Sequence, residues 1–169
     1  AAGAAGEAPA GRAALESAVA LLCALPVEVV RSDCKEELRW CTLAGLARLR
    51  EEASGGGPDA PADSAVFAAQ VLQLLVRAAS QSAAWIEDEL HSVVAFLTGA
   101  GSSHHVPLVR LGSMQALHML VQRSHGHLAP FRKQIETATR RSVEDKRREV
   151  RLMAVACLNT WHCGAATDG

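Results

Sequence analysis

The chain has 169 residues, of which 49% are apolar and only 4% aromatic, and its formal net charge is −1. This near-neutral charge argues against a dedicated polyanion-binding protein. The chain has no apolar run of about 18 residues and no basic leader followed by an apolar stretch, so it predicts neither a membrane span nor a secretory signal peptide. Ala and Leu are strong helix formers and supply much of the hydrophobicity, so the composition predicts an all-α protein.

The apolar spacing predicts seven helices and no strand. In chain order they cover about 12–25, 31–52, 64–79, 83–97, 106–124, 128–141 and 146–163. Residues 54–63, SGGGPDAPAD, contain three consecutive Gly and two Pro and cannot continue a helix. We interpret them as a long loop within one architecture, with a domain linker as the alternative. The predicted organisation is one folded unit, 11–163, between flexible tails at 1–10 and 164–169.

An internal repeat appears in the C-terminal half. The segment VRLGSMQALHML, from Val109, aligns without a gap to VRLMAVACLNTW, from Val150, at an offset of 41 residues (150 − 109). Offsets of about 40–47 residues are typical of HEAT and armadillo units, which stack helix pairs into a solenoid. A weaker third copy starts at Ser64. The sequence therefore predicts an α-α superhelix of the HEAT/armadillo type.

Equivalent positions of the repeat predict a structural ladder. Arg110 and Arg151 occupy the same place in successive copies, and we expect pairing with carboxylates such as Glu144 or Asp145 near Arg151. Contact of the two arginines with a partner is the alternative. Leu117 and Leu158 are also equivalent, so each should be buried and cost about 2–5 kcal/mol when replaced by Ala.

Charge is polarised along the chain. Residues 1–130 carry 9 basic and 13 acidic side chains, whereas residues 131–169 carry 8 and 5. Such asymmetry can steer a partner of opposite charge. A solvated helix face and a nucleic-acid contact are the alternatives, although no aromatic residues interleave the charges as single-strand binding would require. The candidate partner-binding residues are Lys133, Arg140, Arg141, Lys146, Arg147 and Arg148.

Neither catalysis nor metal binding is indicated. The chain has no GxSxG elbow, phosphate-binding glycine loop or HExxH motif, and GAGSS at 99–103 follows a helix rather than a strand. The five Cys form no CxxC pair, and their odd number fits a reduced intracellular protein. Cys157, His162 and Cys163 lie close in sequence but lack zinc-site spacing, so we expect no metal and no cofactor. The three Trp are expected in the core or in groove walls, with a ligand platform as the alternative.

The C-terminal third carries a family resemblance. A hydrophobic-Pro-aromatic-basic opening, an acidic-basic turn and a Val-Arg helix ending in Trp follow one another between residues 128 and 161. This pattern resembles the C-terminal end of the methyl-methanesulfonate-sensitivity-nineteen family, the large HEAT-repeat subunit of the cytosolic iron–sulfur assembly (CIA) targeting complex. The preceding repeat fits as well. The matching residues are Val109, Arg110, Gln115, Ala116, Leu117, Leu128, Pro130, Phe131, Arg132, Lys133, Glu144, Asp145, Lys146, Arg147, Arg148, Val150, Arg151 and Trp161.

The resemblance implies a non-catalytic adaptor of the cytoplasm and nucleus. In that family the C-terminal domain docks onto a small scaffold protein and a WD-repeat propeller. The complex delivers iron–sulfur clusters to apoproteins that include DNA replication and repair enzymes, and direct nucleic-acid or membrane binding is not expected. Two other hypotheses remain open: another HEAT scaffold, such as a nuclear transport receptor or regulatory subunit, and an enzyme subunit whose active site lies elsewhere. The first residue, Ala1, indicates a fragment of a longer chain.

Overall fold

The computed structural model describes residues 9–26, 28–30, 34–55, 62–81 and 84–164. Residues 1–8 and 165–169 of the predicted tails, and residues 56–61 of the loop predicted at 54–63, lie outside the described residues. The remaining residues of these segments, 9–10, 54–55, 62–63 and 164, are helical rather than tail or loop. The described parts of the chain are helical and contain no β-strand, which confirms the all-α prediction. Their α-helices are α1 (Pro9–Ala24), α2 (Lys35–Gly55), α3 (Ala62–Ser80), α4 (Trp85–Asp88), α5 (Leu90–Phe96), α6 (Pro107–Ser124), α7 (Arg132–Val143) and α8 (Arg148–Gly164).

The helices form two layers. Helices α1, α3, α6 and α8 lie side by side in that order, each in contact with the next. The second layer contains α2, α5 and α7, and its members pair with the first layer: α2 with α3, the turn after α5 with α6, and α7 with α8. This stacking of successive helix pairs is the arrangement of a helical solenoid, as the repeat predicts. No helix in the described ranges is long and apolar enough to cross a membrane.

Two predicted helices are interrupted. The helix expected over 83–97 breaks at Glu89, whose φ of −101° and ψ of 8° depart from helical geometry, and after α5 it widens into a π-helical turn, Leu97–Gly101. The glycines in that turn favour helix poorly. The helix expected from residue 128 begins as a 3₁₀ turn, Gly126–Phe131, and becomes α-helical only at Arg132. Pro130 lies in the 3₁₀ turn and has no N–H to donate.

Small residues set the spacing between the stacked helices. The equivalent positions Ala68, Ser113 and Ala154 are all fully buried between neighbouring helices. Beside them, a methyl group on Gly112 would lie 2.9 Å from Cδ1 of Leu72. A side chain at residue 112 would therefore require Leu72 to shift, so this glycine favours the close approach of α3 and α6.

Two arginines fix the N-terminal helices. Arg48 on α2 is 7% exposed, pairs with Glu16 of α1 at 2.9 Å and lies 4.2 Å from the centre of the Phe67 ring on α3. Arg77 on α3 donates to the carbonyls of Leu22, Cys23 and Leu25 at 2.8–3.1 Å. It therefore satisfies carbonyl groups that the end of α1 leaves without helical partners.

Candidate protein-docking surface

Arg110 links two successive repeats. Its Nε and Nη2 atoms donate to the Oδ2 and Oδ1 atoms of Asp145 at 2.6 and 3.0 Å. Its Nη1 atom donates to the carbonyls of His104 and His105 in its own repeat, at 2.8 and 3.1 Å. The Arg110 and Asp145 side chains are only 14% and 10% exposed, so this fork-shaped ion pair lies almost entirely inside the protein.

Arg151 repeats half of this arrangement. Its Nη1 atom donates to the carbonyls of Asp145 and Lys146, six and five residues earlier, at 2.8 and 3.2 Å. Arg110 reaches carbonyls at the same two separations. Of the two carboxylates expected beside Arg151, Asp145 instead binds Arg110 and Glu144 is exposed, while Arg151 bonds to the backbone of the turn between α7 and α8. Both arginines therefore hold this turn from the inside.

Asp145 is the centre of the turn. The hydrogen bond from Arg110 holds the pKa of this carboxyl below its ordinary value, and the backbone N–H of Arg147, which donates to Oδ1 at 2.8 Å, acts in the same direction against the effect of burial. The carboxylate therefore stays charged and accepts three hydrogen bonds. Its oxygens form no ion pair with Lys146, Arg147 or Arg148 among the described residues.

The six candidate partner-binding residues are exposed. Lys133, Arg140 and Arg141 lie on α7, and the other three lie in or just after the turn that follows it. Among the described residues, none of the six forms a side-chain ion pair. We call these six residues the basic surface. Its part that follows α7, Lys146, Arg147 and Arg148, is called the basic turn.

An apolar cleft adjoins the basic turn. It has a volume of about 340 Å³ and lies between the N-terminal ends of α6 and α8. Leu108, which lines the cleft from α6, is 53% exposed, far more than core leucines. The cleft is lined by Val106, Pro107, Leu108, Leu111, Arg147, Glu149 and Val150.

Only part of the signal for this cleft is present in the sequence. Leu108 falls outside the apolar period of α6, which is a signal that a leucine there does not enter the core. No spacing rule, however, shows that Leu108 comes to lie beside Val150, since that contact depends on how α6 and α8 stack.

The three Trp occupy different environments. Trp161 is buried, and its Nε1 atom donates to Oε1 of Glu136 at 3.3 Å. Trp85 is half-buried and packs against the core. Trp40, on α2, is 58% exposed and lies outside the core, so of the environments expected for it the groove wall and the ligand platform remain.

The His and Cys side chains do not converge. Cys157 is buried, and desolvation raises the pKa of its thiol to about 12, whereas His162 and Cys163 are exposed. In the ranges that the structure describes, no three His, Cys, Asp or Glu side chains lie close enough to hold a metal ion.

His104 makes stability depend on pH. It is 6% exposed, and its Nδ1 atom accepts a hydrogen bond from the N–H of Val106 at 3.1 Å. Burial lowers the pKa of His104, with smaller contributions from His105 and Arg110 in the same direction and from Glu52 in the other. The folded state therefore binds a proton less readily than the unfolded state. The stability contributed by the neutral ring is present above the unfolded pKa of about 6.5 and is lost as the pH falls below it.

We expect His104→Gln to reduce the loss of stability between pH 7 and pH 5, since Gln does not titrate. Urea unfolding at both pH values measures this change. His162→Gln, at an exposed position, is the control and should keep the wild-type slope. If the free energy of unfolding changed equally with pH in wild type and in His104→Gln, His104 would not be a source of the pH dependence.

Comparisons with known proteins bear on the resemblance described above. No family model matches the chain. The MMS19 nucleotide excision repair protein homolog of Arabidopsis thaliana is 32% identical to it over 74 residues, which is 44% of this chain and 6% of the plant protein. The chain therefore spans only a small part of this relative's length. Over those 74 residues it is similar to an MMS19 protein, which confirms for part of the chain the resemblance inferred from the sequence.

Proposed function

We propose that the chain is a non-catalytic adaptor domain that docks onto other subunits of the CIA targeting complex. The observation that carries this proposal is its 32% identity, over 74 residues, to the Arabidopsis MMS19 homolog. The partners proposed are the small CIA scaffold protein and the WD-repeat propeller. Through them the domain serves delivery of iron–sulfur clusters to apoproteins, among them enzymes of DNA replication and repair.

The physical features of the surface support a docking role. The ladder arginines Arg110 and Arg151 bind groups inside the turn. Arg147 and Arg148 are exposed, and their side chains form no ion pair with the residues that the structure describes. Exposed charges at the rim of an interface act mainly on the rate of encounter. The basic surface can therefore attract a partner without being needed for the fold.

Charge reversal tests this role. We expect Arg141→Glu, Arg147→Glu and Arg148→Glu, combined in one variant, to slow association with the purified scaffold–propeller pair about tenfold at low salt. Helicity and the thermal midpoint should remain nearly unchanged, because the three side chains are exposed. Added salt should reduce the difference, since exposed charges are screened beyond about 8 Å at physiological ionic strength. Biolayer interferometry over a salt series measures both rates.

A matched control removes the effect of net charge. The control changes the net charge by the same six units through two charge reversals and two introduced carboxylates, at exposed positions that form no side-chain ion pair with the described residues, on α2, α3 and the end of α6: Lys35→Glu, Arg123→Glu, Val66→Glu and Gln73→Glu. This control should associate considerably faster than the basic-surface variant. Equal association rates for the two variants at every salt concentration would show that position is irrelevant and would contradict docking at this surface.

A further inference from the structure

We propose that the cleft between the N-terminal ends of α6 and α8 binds an acidic peptide segment that carries an aliphatic side chain. This inference rests on the proposed function and specifies the chemistry of the partner. The aliphatic side chain enters the apolar cleft, and the carboxylates next to it pair with Arg147 and Arg148. Two independent features of the described residues support it.

The first feature is the apolar lining. Leu108, Leu111 and Val150 contribute aliphatic surface from two different helices to a cleft of about 340 Å³. Pockets for small ligands measure roughly 300–1,000 Å³, so this cleft is suited to one or two side chains rather than to a large ligand. Leu108 is 53% exposed, which leaves apolar surface that an inserted side chain can cover.

The second feature is uncompensated positive charge at the rim. Arg147 lines the cleft, and Arg148 follows it at the first position of α8. Asp145 lies in the same turn, but its two oxygens are bound by Arg110 and by the N–H of Arg147, and neither rim arginine forms an ion pair with another described residue. Because the internal ladder uses this carboxylate, the guanidinium groups of the rim are available to carboxylates of a partner.

Glu149 makes the proposal testable by charge, because it affects acidic and basic peptides in opposite directions. Its side chain is exposed and is the one acid that lines the cleft among the described residues. It repels a carboxylate at its own side of the cleft and so favours a segment whose acids lie toward Arg147 and Arg148. Replacing it with Gln should strengthen binding of an acidic segment and weaken binding of a basic one.

A peptide probe tests the inference on the full chain. The probe is a short fluorescein-labelled peptide that alternates Leu with Asp and Glu. One comparison peptide carries Lys at each acidic position, and the other carries Ser at each Leu position. Fluorescence anisotropy at low salt should show binding of the acidic-aliphatic peptide and much weaker binding of the other two.

Variants locate the peptide. We expect Leu108→Ala to weaken binding about fivefold, as for a residue that anchors an interface, and Glu149→Gln to strengthen it about threefold. Leu21→Ala is the matched control, since Leu21 is 63% exposed on the distant helix α1, and it should bind like wild type. Both leucines are exposed, so neither change should unfold the domain.

Several results would overturn the inference. They are absence of peptide binding, equal binding of the Lys or Ser peptide, weaker binding by Glu149→Gln, and equal affinities of Leu108→Ala and Leu21→Ala. The proposed function fails separately, through lack of association with the CIA subunits. If the chain binds those subunits but Leu108→Ala does not weaken peptide binding, the proposed adaptor function stands and the proposed peptide site in the cleft is wrong.

Discussion

Asp145→Ala should lower the free energy of unfolding by about 3 kcal/mol, a loss typical of a buried ion pair that is deprived of one partner. The Arg110 side chain is 14% exposed and would keep its charge inside the protein with only the carbonyls of His104 and His105 as acceptors. The same change removes the acceptor for the backbone N–H of Arg147. The cost therefore combines an uncompensated charge with a weakened start of α8.

Urea unfolding of purified variants measures this effect. Arg132→Gln is the control, because it breaks the pair of Arg132 with Glu136 on the surface of α7, where the arginine side chain is 66% exposed. Surface pairs four residues apart contribute only about 0.3–0.5 kcal/mol. If both variants lost equally little stability, the turn between α7 and α8 would not depend on the buried pair.

Leu117→Ala should destabilise the chain by about 2–5 kcal/mol, as for other leucines replaced in a packed core. Leu117 is fully buried on α6, in the interior of the helix layer. The repeat predicts the same loss of stability for Leu158, its equivalent on α8. Leu158 is only half-buried, however, so Leu158→Ala should destabilise the chain less than Leu117→Ala. Within the described residues, α8 is the last helix of the layer and has a stacking neighbour, α6, on one side.

Thermal and urea unfolding of the two leucine variants provide the comparison. The structure predicts a clearly larger loss for Leu117→Ala than for Leu158→Ala. A larger loss for Leu158→Ala would mean that the register between α6 and α8 is wrong.

The helix class and the repeat could be predicted from the sequence because both depend on local spacing. The Val-Arg-Leu copies at Val109 and Val150 define the equivalent starts of α6 and α8. The break at Glu89 could not be predicted, since no Pro or Gly marks it. The late start of α7 at Arg132 was not predicted either, although Pro130 in the preceding 3₁₀ turn is evident in the sequence.

The ladder and the cleft depend on contacts between repeats, which spacing along the chain does not give. Proximity in sequence paired Asp145 with Arg151, six residues away, whereas stacking brings its carboxylate to Arg110, 35 residues earlier. The cleft has the same origin, because Leu108 and Val150 meet only when α6 lies beside α8. The sequence predicted that Arg110 and Arg151 belong to an internal ladder and that the other basic residues are exposed, but it did not predict which acceptors the two ladder arginines bind.

Affinity capture from cell lysate, followed by mass spectrometry, tests the adaptor role most directly. Three baits are used in parallel: the wild-type chain, the triple variant at Arg141, Arg147 and Arg148, and the matched control at Lys35, Val66, Gln73 and Arg123. The account predicts that wild type and control recover the WD-repeat propeller and the small CIA scaffold protein, and that the triple variant recovers much less of both. Recovery of nuclear-transport cargo or of a single enzyme complex, without either CIA subunit, would contradict it.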